Sequence, residues 1–115
     1  MSEFLYIYRM TPAAEKPSPE VMQQRMQKWM TWMKSLDENG HLKERGHPLE
    51  AAGKVVRGRD KTITDGPYAE TKDVIGGYSM IVAKDAAQAA ELAKGCPILE
   101  GGGSVEVRAI MHMNV

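Results

Sequence analysis

The sequence predicts an α+β fold of the ferredoxin-like βαββαβ kind, with a β-hairpin inserted at its middle. Three observations carry this. Strand-like and helix-like segments follow one another in the order strand, helix, strands, strand, helix, strand. Both helices are punctuated at their ends by capping residues. The outer strands alternate with period two, as half-buried antiparallel strands do.

The elements follow in order. "FLYIYRM" (4–10) is rich in aromatic and branched residues and reads as a strand. "TPAAEKPSP" (11–19) carries three prolines and reads as a loop. Ser18 is a good N-cap and Pro19 suits the first helical position. Met22, Met26, Trp29, Met33 and Leu36 recur at three- and four-residue spacing, so they share one face of this helix, read as its core face and flanked by Met30 and Trp32. Asn39-Gly40 ends it, with Gly40 as a left-handed cap. "HLKERGHPLE" (41–50) is extended, with a break at Gly46-His47-Pro48. "KVVRGRDKTIT" (54–64) holds two short strands around a turn at Gly58-Arg59-Asp60. "TDGPYAETKD" (64–73) reads as a loop, and "GGYSMIVAK" (76–84) as a central strand, apolar on both faces. Asp85 with Gln88 three residues on starts the second helix, whose Ala86, Ala89, Ala90 and Ala93 allow close packing on a sheet. That helix stops at Gly95-Cys96-Pro97, and "SVEVRAIMHMN" (104–114) is the last strand.

Residues 1–115 form a single domain, long enough for one modest core. Net charge is +0 and the pI about 6.8, so nothing pulls the chain to nucleic acid or to an anionic membrane. No apolar run approaches the roughly 20 residues of a membrane helix. The N-terminal segment carries Glu3 and lacks the basic start of a secretion signal. The single cysteine, Cys96, cannot form an internal disulfide, and a reducing cytoplasm is the expected compartment.

The topology leaves a burial problem. Both helices cover one sheet face, yet the other face is not purely polar: Leu5 and Ile7 lie opposite Phe4, Tyr6 and Tyr8, and Ile110 lies with Glu106 and Arg108. A partly apolar exposed sheet face calls for a partner, and the simplest is a second copy related by two-fold symmetry. A homodimer is expected, with a part-polar cavity between the sheets.

"DGPYAETKDVIGGYSMI" resembles the signature of the DGPF group within the YCII-related proteins. Asp65, Gly66, Pro67, Tyr68, Ala69, Glu70, Thr71, Lys72, Asp73, Gly76, Gly77 and Tyr78 fit it in order, with Tyr68 in place of the usual phenylalanine. Cys96-Pro97 and "VEVR" (105–108) are similar too, so the resemblance spans most of the chain. It implies a dimeric α+β barrel. Related YCII proteins have a histidine–aspartate pair proposed to be catalytic, and one branch is a dehydrochlorinase acting on a chlorinated aromatic. The histidine of those relatives lies in the first helix, at about the position of Trp29 here, so the pair does not carry over intact.

Candidate chemistry therefore rests on other residues. Asp65 either accepts hydrogen bonds in its own turn or acts as a general base at a cavity mouth. His47, in a segment expected to border the cavity, is either a surface residue or an acid–base group, and a His47–Asp65 meeting would replace the missing pair. Glu70 and Lys72 are either solvated charges or a clamp for an anionic group. Tyr8 and Tyr78 pack in the core or interface and can hydrogen-bond a ligand. Arg108 either pairs with Glu106 or binds an anion. With three histidines and no Cys/His/acid cluster at ligand spacing, no metal is expected, and no cofactor. Cys96, just past a helix C-terminus, is a poor nucleophile, and no Gly-x-Ser-x-Gly elbow is present.

Two functional classes remain, beside a plain structural dimer whose polar loop only closes the barrel end. One is a small-molecule enzyme or ligand-binding protein using acid–base groups in a cavity near the dimer interface. The other is a regulatory or protein-interaction module, which the resemblance associates with sigma-factor regulation. A concave pocket with a perturbed acid or base favours the first. An apolar patch away from the dimer interface favours the second.

Overall fold

The computed structural model describes residues 1–11, 17–66 and 73–113. The chain runs β1 (Ser2–Met10), α1 (Pro19–Glu38), β2 (Leu42–Glu44), β3 (Gly53–Arg57), β4 (Thr62–Gly66), β5 (Val74–Ala83), α2 (Ala86–Ala93) and β6 (Ser104–Ala109). A short 3₁₀ turn over Pro97–Gly101, not expected from the sequence, joins α2 to β6.

The main sheet is antiparallel, in the order β2-β5-β1-β6. That is the split βαββαβ order, and β3–β4 is the inserted hairpin, forming a separate two-stranded sheet. The register puts Tyr6 opposite both Ser79 and Val107, so one layer runs across three strands. Phe4, Tyr6, Tyr8, Ile81 and Ala83 are buried on the face that carries the helices. Leu5 and Ile7, opposite Met80 and Tyr78, are only half-buried on the other face.

The caps form as the residues dictate. The Ser18 hydroxyl accepts from Val21 N–H at 3.2 Å, and Gly40 takes φ +78° just past α1. The Asp85 carboxylate accepts from Gln88 N–H at 2.8 Å, while the Gln88 side chain accepts from Lys84 N–H. Ala89 and Ala93 are buried, which brings α2 close enough for the Tyr6 hydroxyl to donate to the Ala89 carbonyl at 2.5 Å.

Three expectations change. Only the C-terminal half of α1 is core: Trp32, Met33 and Leu36 are buried, whereas Met22 and Met26 are 54% and 64% exposed. The apolar stripe continues beyond what lies beneath it, and Trp32, placed on its flank, belongs to its centre. Residues 64–66 extend β4 rather than open a loop, because Asp65 and Gly66 pair with Lys54 and Gly53. Regular pairing in β6 stops at Ala109, followed by one further bond from Ile110 N–H to the Glu3 carbonyl, so Met111 and Met113 stand exposed.

The β3–β4 hairpin is an arm. Its turn uses Gly58 at φ +76° and Lys61 at φ +57°, and its Val56 and Ile63 are 64% and 66% exposed. The radius of gyration is 16.0 Å, against about 13 Å for a compact chain of this length.

Candidate functional site

A cavity of about 360 Å³ opens within the chain, between α1, the adjoining ends of β1 and β5, and the segment 45–48. Its walls start in the aromatic cluster of the core. Trp29 meets Tyr8 edge to face at 4.7 Å between ring centres, and Trp32 meets both Trp29 (5.6 Å) and Tyr8 (6.2 Å). Edge-to-face rings hold one another in place as well as burying area. Of this cluster Tyr8 and Trp29 reach the cavity, joined by the thioethers of Met10, Met26 and Met33.

The roof is the segment after β2, and two glycines let it lie directly on β5. Gly46 has φ +72°, and a Cβ there would stand 1.8 Å from the Tyr78 carbonyl oxygen. A Cβ on Gly77 would stand 3.0 Å from the His47 carbonyl. The segment is then tied by backbone bonds: Tyr78 N–H donates to the His47 carbonyl (3.3 Å) and Leu49 N–H to the Gly76 carbonyl (2.8 Å). Pro48 and Gly77 form an isolated bridge.

A buried hydrogen-bond chain adds a third tie. The Tyr8 hydroxyl donates to Ser79 Oγ at 2.8 Å, and the Ser79 hydroxyl donates to the Arg45 carbonyl at 2.5 Å. Burial pushes the Tyr8 phenol well above its usual range, and its bond to Ser79 only partly offsets this. Tyr8 is therefore a neutral donor, not a base, near neutral pH. Through Ser79 it fixes the backbone that carries Arg45 and His47.

Of the expected site residues, Tyr8, His47 and Tyr78 come together at this cavity, with the His47 and Tyr78 rings 6.3 Å apart. Asp65 is elsewhere: it lies on the β3–β4 arm, its carboxylate 85% exposed and bonded to the Lys54 ammonium. It is not a wall of the cavity and does not cap a turn. Arg108, opposite Leu5 on the open sheet face, donates to Glu106 at 3.0 Å; Arg9 holds the other oxygen of that carboxylate at 2.9 Å. These two arginines hold the Glu106 carboxyl below its usual range. Glu70 and Lys72 lie outside the described residues, as does most of the signature loop. Cys96 is buried, and burial pushes its thiol up to about 11, which removes it as a nucleophile near neutral pH.

The sequence reading missed Arg45, Ser79 and Trp29 as cavity residues. Ser79 left a signal: it is the one polar side chain at an inward position of an otherwise apolar strand. Arg45 left none, because its place depends on how Gly46 turns the chain. Among the described residues no group of three His, Cys, Asp or Glu side chains could hold a metal ion. No helix among them is long and apolar enough to cross a membrane.

The model of the YCII-related domain matches residues 2–114. The chain belongs to this family. No curated protein matches the chain. Within this YCII-related domain, the helix position at which the sequence comparison expected relatives to carry a histidine is about that of Trp29. Here the indole forms part of the cavity wall, so an apolar surface stands where a titratable group was sought.

Proposed function

We propose that this YCII-related protein, a DGPF-type member, binds a small organic molecule in the cavity under segment 45–48 and acts on it by proton transfer through His47. The observation that carries the reading is the cavity itself: a mostly apolar space that has His47, a residue type suited to acid–base work, among its described lining residues. The ring of Tyr8 supplies surface for the ligand, while Tyr78 borders the cavity through the backbone that holds the roof. The protein works as a homodimer in a reducing cytoplasm, its half-buried Leu5, Ile7, Tyr78 and Met80 covered by the same face of a second copy.

Thermal-shift screening of small aromatic acids and lactones finds the ligand, and His47→Gln and Asp65→Asn are then assayed on it. Loss of turnover in His47→Gln with full activity in Asp65→Asn is the expected result. Loss in both would bring the arm of a partner to the site and restore the His47–Asp65 pairing. Full activity in both would end the acid–base reading.

A second reading has one observation in its favour. Met22, Met26 and Met30 form an exposed ridge along α1, away from the open sheet face. Methionine surfaces adapt to varied partners, so a protein-interaction module, including one acting beside a sigma factor, is the alternative.

A further inference from the structure

The polarity of the cavity is arranged in one direction, and this narrows its ligand. Among the described residues lining it, the ionisable groups other than the tyrosines are Arg45 and His47, and none is a carboxylate. Both sit on the roof segment, and both are exposed. No described carboxylate is bonded to Arg45, which also borders a shallow depression with Gln27, Met30 and Lys34.

The inner wall is the opposite. Its polar atoms are spent on one another: the Tyr8 hydroxyl on Ser79, the Ser79 hydroxyl on the Arg45 carbonyl, and the His47 carbonyl on Tyr78 N–H. Among the described residues no buried side-chain nitrogen or oxygen lacks a partner. An anionic group pushed inward would lose its water and find none of these donors free to replace it. What remains inside is ring edge and thioether from Trp29, Tyr8 and Met33, surfaces suited to a flat aromatic body.

We propose that the cavity takes an aromatic organic anion, its ring system inside against Trp29 and Tyr8 and its anionic group at the lip beside Arg45 and His47. This rests on the cavity-binding reading above and adds the charge and orientation of the ligand. An arginine at the lip suits a carboxylate, whose two oxygens match the guanidinium fork.

The test is isothermal titration calorimetry with three probes of the same ring system: 2-naphthoate, the neutral 2-naphthylmethanol and the cationic 2-naphthylmethylamine. Octanoate serves as a non-aromatic anion. We expect naphthoate to bind about tenfold or more tighter than the neutral alcohol, with the amine and octanoate weaker still. Arg45→Gln, a change at an exposed side chain, should erase most of the preference for naphthoate and leave the alcohol unchanged. Equal binding of alcohol and naphthoate, or an unchanged preference in Arg45→Gln, would overturn the anion assignment while leaving the cavity as a binding site. Octanoate binding as well as naphthoate would overturn the aromatic assignment. Failure of every probe to bind would remove the cavity reading itself.

Discussion

Two tyrosines on β1 do more than fill the core. The Tyr6 ring stacks on Trp32 at 6.0 Å and its hydroxyl is held by the Ala89 carbonyl. Burial raises its ionisation to about 12, from an ordinary value of 10.0, and raises that of Tyr8 as well. The sign follows from linkage. Both folded-state values lie above the unfolded ones, so the contribution to stability is whole below pH 10 and is lost as pH climbs through the raised values. Tyr6 and Tyr8 should therefore ionise only as the chain unfolds. A spectrophotometric titration followed together with far-UV circular dichroism should show their late phenolate signal and the loss of structure coinciding between pH 10 and 12. Late ionisation with the fold fully retained would contradict this. At this scale the sequence was readable where a residue's role is local. Ser18, Gly40 and Asp85 cap as their types require. Asp65 was misread because Asp-Gly-Pro is turn chemistry, and the pairing of β4 with Lys54 on β3 overrides it.

The elements that shape the site are short and depend on backbone fit. Segment 45–49 lies against β5 only because position 46 lacks a Cβ and adopts a left-handed conformation. Gly46→Ala brings both a strained φ and a clash with the Tyr78 carbonyl. It should cost at least about 2 kcal/mol in urea denaturation and displace His47 from the cavity. A loss below about 0.5 kcal/mol, the range of a neutral surface change, would show that the roof does not depend on this contact. Helix α1 shows the limit of pattern reading. Periodicity says which side of a helix is apolar, and it said so correctly for Trp29, Met33 and Leu36. It does not say how far the sheet beneath extends, so the same spacing left Met22 and Met26 in solvent. The hairpin, the central strand and the strand order were legible because turn residues and alternation report on immediate neighbours. The cavity was half legible: His47, Tyr8 and Tyr78 came from residue type, whereas Arg45, Ser79 and Trp29 came from distant segments meeting.

Across the whole molecule the open sheet face is where the proposed pairing of two copies can be tested. Met80 is half-buried there, opposite Leu5. Met80→Glu should be tolerated within one protomer and should place a charge, with its two-fold copy, in the centre of a dimer interface. Size-exclusion chromatography with light scattering should give a dimer for the parent chain and a monomer for the variant. A parent chain that elutes as a monomer at micromolar concentration would overturn the dimer.

The division of labour along one side of β5 has a further consequence. Its outer neighbour is not one strand but two fragments: three residues of β2 near Ile81, then Pro48 and Leu49 near Gly77 and Gly76, with Gly46 breaking the ladder between them. The opposite border, β6, is six residues long and carries Glu106 and Arg108. Neither border presents a long, flat, uncharged row of free amides and carbonyls, which is what an incoming strand needs as a template. The device that roofs the cavity thus also denies the sheet a template for growth into fibres, and is compatible with the proposed pairing through faces that close on themselves.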